Sequence, residues 1–340
     1  MCLSKIPTDI ITLIINFYFH LIKDVSSLSL TNKKNNGLIK EYYTNNNNKQ
    51  IKHTLKTWNK TFPNITYAHI NNLLKITDSD FKYGKNITEL DMSLCSQLTI
   101  TSYSFQYLLH IKHLNLQGSS YRLADIMFDF LQNLETLFID NNHNITDYGI
   151  QKLIKIKDLT IHNCSRITDE GLCNLTRVEK LNIYNLTNLT DEVFNNLTNI
   201  EELNMTFGNI TNNGILKLIN IKKIHFLSCS KIKCIDFDKL TKLIYLSISG
   251  CRIIDDTQLI YLKNIKEIVL YGCRINGYGF QYLTNVQTIY IYECQIIDEN
   301  LTHLLKLNNL INIYIYRCYF ISQNKINELK NKISLNFTIG

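Results

Sequence analysis

The chain has 340 residues, 45% of them hydrophobic, with 36 basic and 29 acidic side chains and a formal net charge of +7. That apolar content is ample for a continuous core, and two prolines and twelve glycines argue against long flexible linkers. The positive charge is modest and carried by scattered lysines, without the basic stripe and interleaved aromatics of a nucleic-acid binder, so nucleic acid is disfavoured as a partner.

Residues 1–40 read as a small helical module. Pro7 suits the first turn of a helix, where its missing N–H costs nothing, and apolar residues follow at Ile10, Ile14, Ile15, Phe17 and Tyr18. A second group, Asp24-Val25 with Leu28 and Leu30, runs into the polar Thr31-Asn32-Lys33-Lys34. Two or three short helices of this size are not stable alone. The apolar run from Ile10 to Ile22 is short and is interrupted by Asn16 and His20, so it reads as neither a signal peptide nor a membrane span. Residues 41–63, with the run Asn45 to Asn48, read as a linker and N-terminal cap.

From residue 64 to 340 a phrase recurs about every 22 residues, clearest as Leu159-x-Ile161-x-x-Cys164-x-x-Ile167-Thr168-Asp169-x-x-Leu172. Its first apolar residue is Leu90, Leu114, Leu137, Leu159, Leu181, Leu203, Ile224, Leu246, Ile268, Ile289 and Ile313 in successive copies, in steps of 21–24. A degenerate copy is expected near Ile65 and a last half-copy at Leu335. The alternation Leu-x-Ile is the period-2 pattern of a short strand with one buried face. Leu172, Leu175 and Val178 step by three, a helical or 3₁₀ rhythm. A strand, a turn and a short helical return cannot bury their own apolar face, so the copies must stack and their ends need caps. The expected fold is α/β: a right-handed leucine-rich-repeat solenoid of about 11–12 units, with a curved parallel sheet on its concave face and short helices on its convex face. The copies at Leu114 and Ile224 depart from the phrase, and the second lacks the Thr-Asp, which predicts local irregularity there.

Position +5 from the first apolar residue is Cys95, Cys164, Cys229, Cys251, Cys273, Cys294 and Cys318, with Asn142 in the same slot. Small groups able to hydrogen-bond suit the place where the chain leaves a strand. Seven of the ten cysteines share this slot, so their spacing is the period of the fold rather than that of a metal site. Stacked ~4.8 Å apart with parallel directions, they are poorly disposed for disulfides. They read as reduced structural thiols in a reducing compartment, cytoplasmic or nuclear, with no metal or cofactor expected. The Thr-Asp of Thr77-Asp78, Thr146-Asp147, Thr168-Asp169 and Thr190-Asp191 reads as an N-cap for the return.

Strand residues at −1, +1 and +3 point away from the core. In early and middle copies these slots are polar, as in Glu89, Asp91, Ser93 and Lys180, Asn182, Tyr184. Toward the C-terminus they become aromatic: Tyr245, Tyr271, Tyr290, Tyr292, Tyr314 and Tyr316, with Arg252, Arg274 and Arg317 just beyond the strands. Tyr and Arg dominate protein-recognition hot spots, which makes this patch a candidate client-binding surface. Cross-strand tyrosine pairs that merely stiffen the sheet are the alternative. His113, His162 and His225 share the concave face in copies too far apart for a metal and read as polar surface residues. No phosphate loop, nucleophile elbow or metalloprotease motif appears, so an enzyme is not expected.

The repeats resemble the cysteine-containing class of leucine-rich repeats, which reads LxLxxCxxITDxxLxxL. The N-terminal module resembles the F-box, an adaptor motif written LPxEllxxIxxyL…dLxxlxxVcrxW. Ile6-Pro7 stands for its Leu-Pro and Asp9 for its acidic residue; Ile14-Ile15, Phe17-Tyr18, Asp24-Val25, Leu28 and Leu30 follow. The resemblance implies that Ile6, Pro7, Ile10, Ile14, Ile15, Phe17, Tyr18, Val25, Leu28 and Leu30 dock on a Skp1-like adaptor and through it on a cullin. The chain would then be the substrate-recognition subunit of an SCF-type ubiquitin ligase, holding an unknown client protein on its concave face. Without that link the module is a helical cap, and the chain is a stand-alone interaction scaffold or inhibitor. Abundant Asn, Ile, Lys and Tyr match the codon bias of AT-rich genomes, among them those of giant DNA viruses of amoebae.

Overall fold

In the computed structural model the chain divides into two units, residues 1–52 and 53–340. The structure describes residues 66–69, 77–93, 100–118, 123–233, 235–250, 254–332 and 336–339, all within the second unit. The helical module and linker expected over residues 1–63 lie outside the described residues.

The described residues form one parallel sheet of thirteen strands whose spatial order is their chain order. The strands are β1 (Tyr67–His69), β2 (Glu89–Asp91), β3 (His113–Asn115), β4 (Thr136–Asp140), β5 (Asp158–His162), β6 (Lys180–Tyr184), β7 (Glu202–Thr206), β8 (Lys223–Leu227), β9 (Tyr245–Ser249), β10 (Glu267–Tyr271), β11 (Thr288–Tyr292), β12 (Asn312–Tyr316) and β13 (Asn336–Ile339). Register follows the repeat, Leu159 pairing with Leu181 and Ile268 with Ile289. Eleven strands are the copies read from the sequence, and the terminal two correct their expected starts. Ala68 pairs with Leu90 and Phe337 with Ile313, so these residues take the first slot instead of Ile65 and Leu335. A one-residue slip would turn each side chain to the other face, so the neighbouring strand's pairing fixes the register.

Each return is short. Some are single α-turns, such as Asp147–Ile150 and Asp169–Leu172; others are 3₁₀, such as Asp78–Tyr83 and Asn300–Lys306. The core runs along the stack. In the clearest copy Leu159, Ile161, Cys164, Ile167, Leu172, Leu175 and Val178 are all buried, and each large apolar side chain so covered contributes about 1.5–3 kcal/mol. Three of the four expected N-caps bond as read, the hydroxyls of Thr146, Thr168 and Thr190 accepting from the backbone N–H of Tyr148, Glu170 and Glu192, and Thr211, which the phrase did not mark, accepts from Asn213 in the same way; Thr77 instead donates its N–H and hydroxyl to the Asp80 carboxylate. The adjoining aspartates have a second role. The Asp147 carboxylate accepts from both the backbone N–H and the hydroxyl of Thr168 in the next copy, at 2.7 Å each, and Asp125, Asp169 and Asp191 bind Thr146, Thr190 and Thr211 in the same way. The carboxylate lies so close to the next return that a Cβ on Gly171 would stand 2.3 Å from the Asp147 Oδ1.

Of the two copies that depart from the phrase, the one at Ile224 has the shorter return, a three-residue 3₁₀ turn, Phe237–Lys239, while β3 in the other is three residues long like β1 and β2 and is followed by a five-residue return, Asp125–Asp129. The slot at +5 does what a strand exit needs. Cys164 donates to the His162 carbonyl at 3.3 Å and Cys294 to that of Tyr292 at 3.4 Å. Asn142 donates to the Leu123 carbonyl and accepts from the N–H groups of Asn144 and Ile145. Burial pushes the Cys164 thiol up to about 12 and that of Cys318 to about 11, which keeps both protonated and unreactive.

Candidate functional site: the open face of the sheet

The residue four places after the first apolar residue lies in the left-handed region in ten successive copies, from Gly118 (φ 68°) through Asn141 (52°), Asn163 (51°) and Asn185 (54°) to Glu293 and Arg317 (52° each). This residue turns the chain off the sheet, and together these residues form a ledge along the strand ends. Gly and Asn accept that conformation readily; Phe207 (φ 45°), Glu293 and Arg317 do so at a cost of about 1 kcal/mol or more.

Over β4–β7 the polar groups of the open face satisfy one another. The Asn163 amide donates to Asn141 and the Asn185 amide to Asn163, a ladder along the ledge. On the floor Asn182 donates to the Thr160 hydroxyl at 2.7 Å and Asn204 donates to Asn182. Asp140 meets His162 at 2.7 Å, and Lys180 meets Glu202 at 2.9 Å. Groups spent on neighbours in this way stiffen the sheet and offer a partner little.

Over β10–β12 the floor is aromatic. Tyr290 and Tyr314 stack with ring centroids 4.6 Å apart and planes 6° apart; Tyr292 and Tyr316 stack at 5.0 Å and 7°, and Tyr271 continues that row at 6.0 Å and 29°. Burial and the neighbouring Tyr316 and Tyr314 push the Tyr292 hydroxyl up to about 12, so it stays protonated. Tyr290 is largely covered, whereas Tyr271 is 38% exposed. Arg274 is exposed beyond β10, and Arg317 reaches Glu293 at 3.1 Å. Tyr245 stands apart: it is buried with its ring 4.6 Å from that of His225. Arg252 lies outside the described residues. The ring stacks thus bring together Tyr271, Tyr292 and Tyr316 in one row and Tyr290 and Tyr314 in another, with Arg317 next to Tyr316 in the chain.

Three features escaped the sequence reading. Tyr319 and Phe320, 84% and 64% exposed, follow β12 and extend the aromatic character past it; an aromatic pair in slots that hold Ser-Arg or Arg-Ile in other copies was the signal. His225 is corrected from a surface residue to a buried one. Burial lowers its imidazole to about 4, and its Nδ1 has no hydrogen-bond partner. The charge is not scattered either. Residues 77–216 carry seventeen acidic and ten basic side chains, and residues 217–332 carry nine acidic and sixteen basic. A sum over the whole chain hides this division. Among the described residues no group of three or more His, Cys, Asp or Glu side chains could hold a metal ion, and no helix is long and apolar enough to cross a membrane.

A family profile described as a BspA type leucine rich repeat region matches the chain in six copies, with matches over residues 5–135, 49–172 and 98–215. The chain belongs to this leucine-rich-repeat family. None of the curated proteins matches it. Among solved structures this repeat chain is similar to an internalin of Listeria monocytogenes, at 18% identity and a TM-score of 0.58 over 84% of this chain and 88% of that one. It is also similar to a chain of the yeast Rad7–Elc1 complex, at 15% identity and a TM-score of 0.51 over 92% and 93%. A TLR13–ssRNA13 complex matches at 15% identity and a TM-score of 0.58, over 75% of this chain and 40% of that one. At these identities the likeness is one of fold. A leucine-rich-repeat sheet with an open face is the frame of a protein–protein interaction scaffold.

Proposed function

We propose that the chain is the substrate-recognition adaptor of an SCF-type ubiquitin ligase, with residues 1–40 docking on a Skp1-like protein and the tyrosine ledge over β10–β12 holding the client. The observation that carries this reading is the pairing, in one chain, of the F-box-like sequence Ile6 to Leu30 with a repeat sheet whose aromatic slots gather at one end. The solved chain of similar fold from the yeast Rad7 and Elc1 complex belongs to a complex of two proteins, which agrees with an adaptor's role. The mechanism is proximity: a docked module and a held client raise the effective concentration of client lysines near the recruited conjugating enzyme. The chain itself performs no chemistry in this reading.

Co-purification with Skp1 tests it, comparing the intact chain with a variant carrying Pro7→Ala, Ile14→Asp and Ile15→Asp. Retention of Skp1 by the intact chain and its loss by a variant with unchanged circular dichroism is the expected result. Failure of the intact chain to retain Skp1 would leave a stand-alone interaction scaffold whose N-terminal module is a cap.

A further inference from the structure

The tyrosine ledge has a sign as well as a shape. Stacking covers the faces of Tyr292 and Tyr316 with each other and leaves ring edges and hydroxyls for a partner. Ring faces carry the negative part of the aromatic quadrupole and edges the positive part. Burial holds the Tyr292 and Tyr316 hydroxyls above their usual range, so they meet a partner as protonated donors. Of the other outward slots of β10–β12, Val269, Thr288 and Asn312 are uncharged and Glu267, at the start of β10, is acidic.

The charged groups around the rings point the same way. Arg274 and Arg317 are exposed at the strand ends; Glu293, between them, pairs with Arg317, so a client carboxylate on Arg317 shares that guanidinium with it. Farther round the turns, Asp256 and Asp298 are engaged by the following returns, while Glu299 is exposed. Asp256 accepts the backbone N–H groups of Asn276, Gly277 and Gly279, and Asp298 accepts that of Ser322. Beyond the ledge, residues 217–332 carry sixteen basic side chains against nine acidic ones. Glu293 and Arg317 also hold the left-handed ledge conformation, at a backbone cost that Phe207 shares in the β7 copy.

We infer that the ledge binds an acidic, extended polypeptide segment of the client, with its carboxylates on Arg274, Arg317 and the tyrosine hydroxyls. This rests on the reading of the ledge as the client surface. Single-stranded nucleic acid is the other polyanion to weigh; it binds by stacking bases on open ring faces, which the strand tyrosines give to one another and which, among the ledge aromatics, only the exposed Tyr319 and Phe320 beyond β12 would offer. The acidic stretch of a second copy, residues 77–216, is the remaining competitor.

The test is selection from a random-peptide phage library on the intact chain, followed by affinity measurements with the recovered peptides in synthetic form. The recovered peptides are expected to be net acidic. They should bind roughly tenfold or more weakly to an Arg274→Glu, Arg317→Glu variant and lose affinity as salt is raised. Tyr292→Phe with Tyr316→Phe keeps the stack, removes two donors and should weaken binding several-fold; a Tyr292→Ala, Tyr316→Ala variant should weaken it about tenfold or more. Neutral or basic peptides that still need the tyrosines would overturn the acidic partner and leave the docking surface standing. Peptides indifferent to both the arginines and the tyrosines would overturn the docking surface as well. Equal competition by oligo(dT), or a salt-sensitive dimer in sedimentation that blocks peptide binding, would also overturn the inference by naming a different occupant.

Discussion

The strands β4–β7 and β10–β12 share one backbone phrase and one apolar core, and they differ almost entirely in what they turn outward. In the first region amides, hydroxyls and ion pairs bond across neighbouring copies, so the polar groups of the open face are consumed by the sheet itself. In the second the +1 and +3 slots of β11 and β12 are rings stacked on one another, with arginines at the strand ends and an excess of basic residues around them. A repeat fold separates these tasks cleanly. The inward slots must obey the period, because each copy buries its neighbours' apolar faces, whereas the outward slots are free to vary copy by copy. Recognition is therefore read from the outward slots and stability from the inward ones.

Removing the interactions special to each region sharpens this contrast, and the largest effect is expected between the two regions, at His225. Its imidazole is held at about 4 against an ordinary 6.5, because burial disfavours the charged form. The folded value lies below the unfolded one, so between pH 6.5 and about 4 the unfolded chain takes up a proton that the folded chain refuses. Stability should fall as pH falls through that window and level off below it, by roughly 3 kcal/mol from this group. Denaturant unfolding of the wild type against His225→Gln checks it: the difference between them should change with pH only inside the window.

The aspartate ladder should come next. Asp147→Ala removes two hydrogen bonds to Thr168 and leaves a backbone N–H without its acceptor, for an expected loss of about 1–3 kcal/mol. Asp298→Ala, on the C-terminal side, removes one bond to Ser322 and should cost less. Equal losses at the two sites would show that the carboxylates act through something other than these bonds.

The smallest effect compares the two ends of the ledge. Asn163→Gly keeps the left-handed turn but cuts the amide ladder on both sides, so a loss of about 0.5–1.5 kcal/mol is expected. Glu293→Gly relieves a side chain strained at the same turn, while a more flexible unfolded chain offsets that gain by about 0.4–1 kcal/mol. Thermal melts should therefore separate the pair, with the asparagine variant the less stable.

Much of this was legible in the sequence, because the period-2 alternation, the step of three and the Thr caps are local signals. The Leu159 and Leu181 slots, the buried cysteines and the caps at Thr146 and Thr168 follow from residues a few positions apart. What was hidden depends on stacking. Asp147 looks like part of a local cap, yet its partner Thr168 is 21 residues away and meets it only when two copies stack. The left-handed ledge is written as Asn, Ser and Gly in some copies and as Phe207, Glu293 and Arg317 in others, so no single residue type marks it. His225 reads as a polar residue in an outward slot, and only its neighbours across the strands, Tyr245 above all, bury it. The tyrosine rows were visible as residue types, but their stacking, and so the choice between ring faces and ring edges, was not. The division of charge at about residue 217 lay in the sequence throughout and was lost only in the sum.

The most direct test of the separation between scaffold and recognition surface is the affinity of one selected peptide for two sets of variants. Tyr292→Ala with Tyr316→Ala should weaken binding about tenfold or more, as expected for hot-spot aromatics. Asn182→Ala and Asp140→Ala, on the open face of β6 and β4, should leave it within about twofold. Binding lost in the second set and kept in the first would place recognition on β4–β7 and contradict the account.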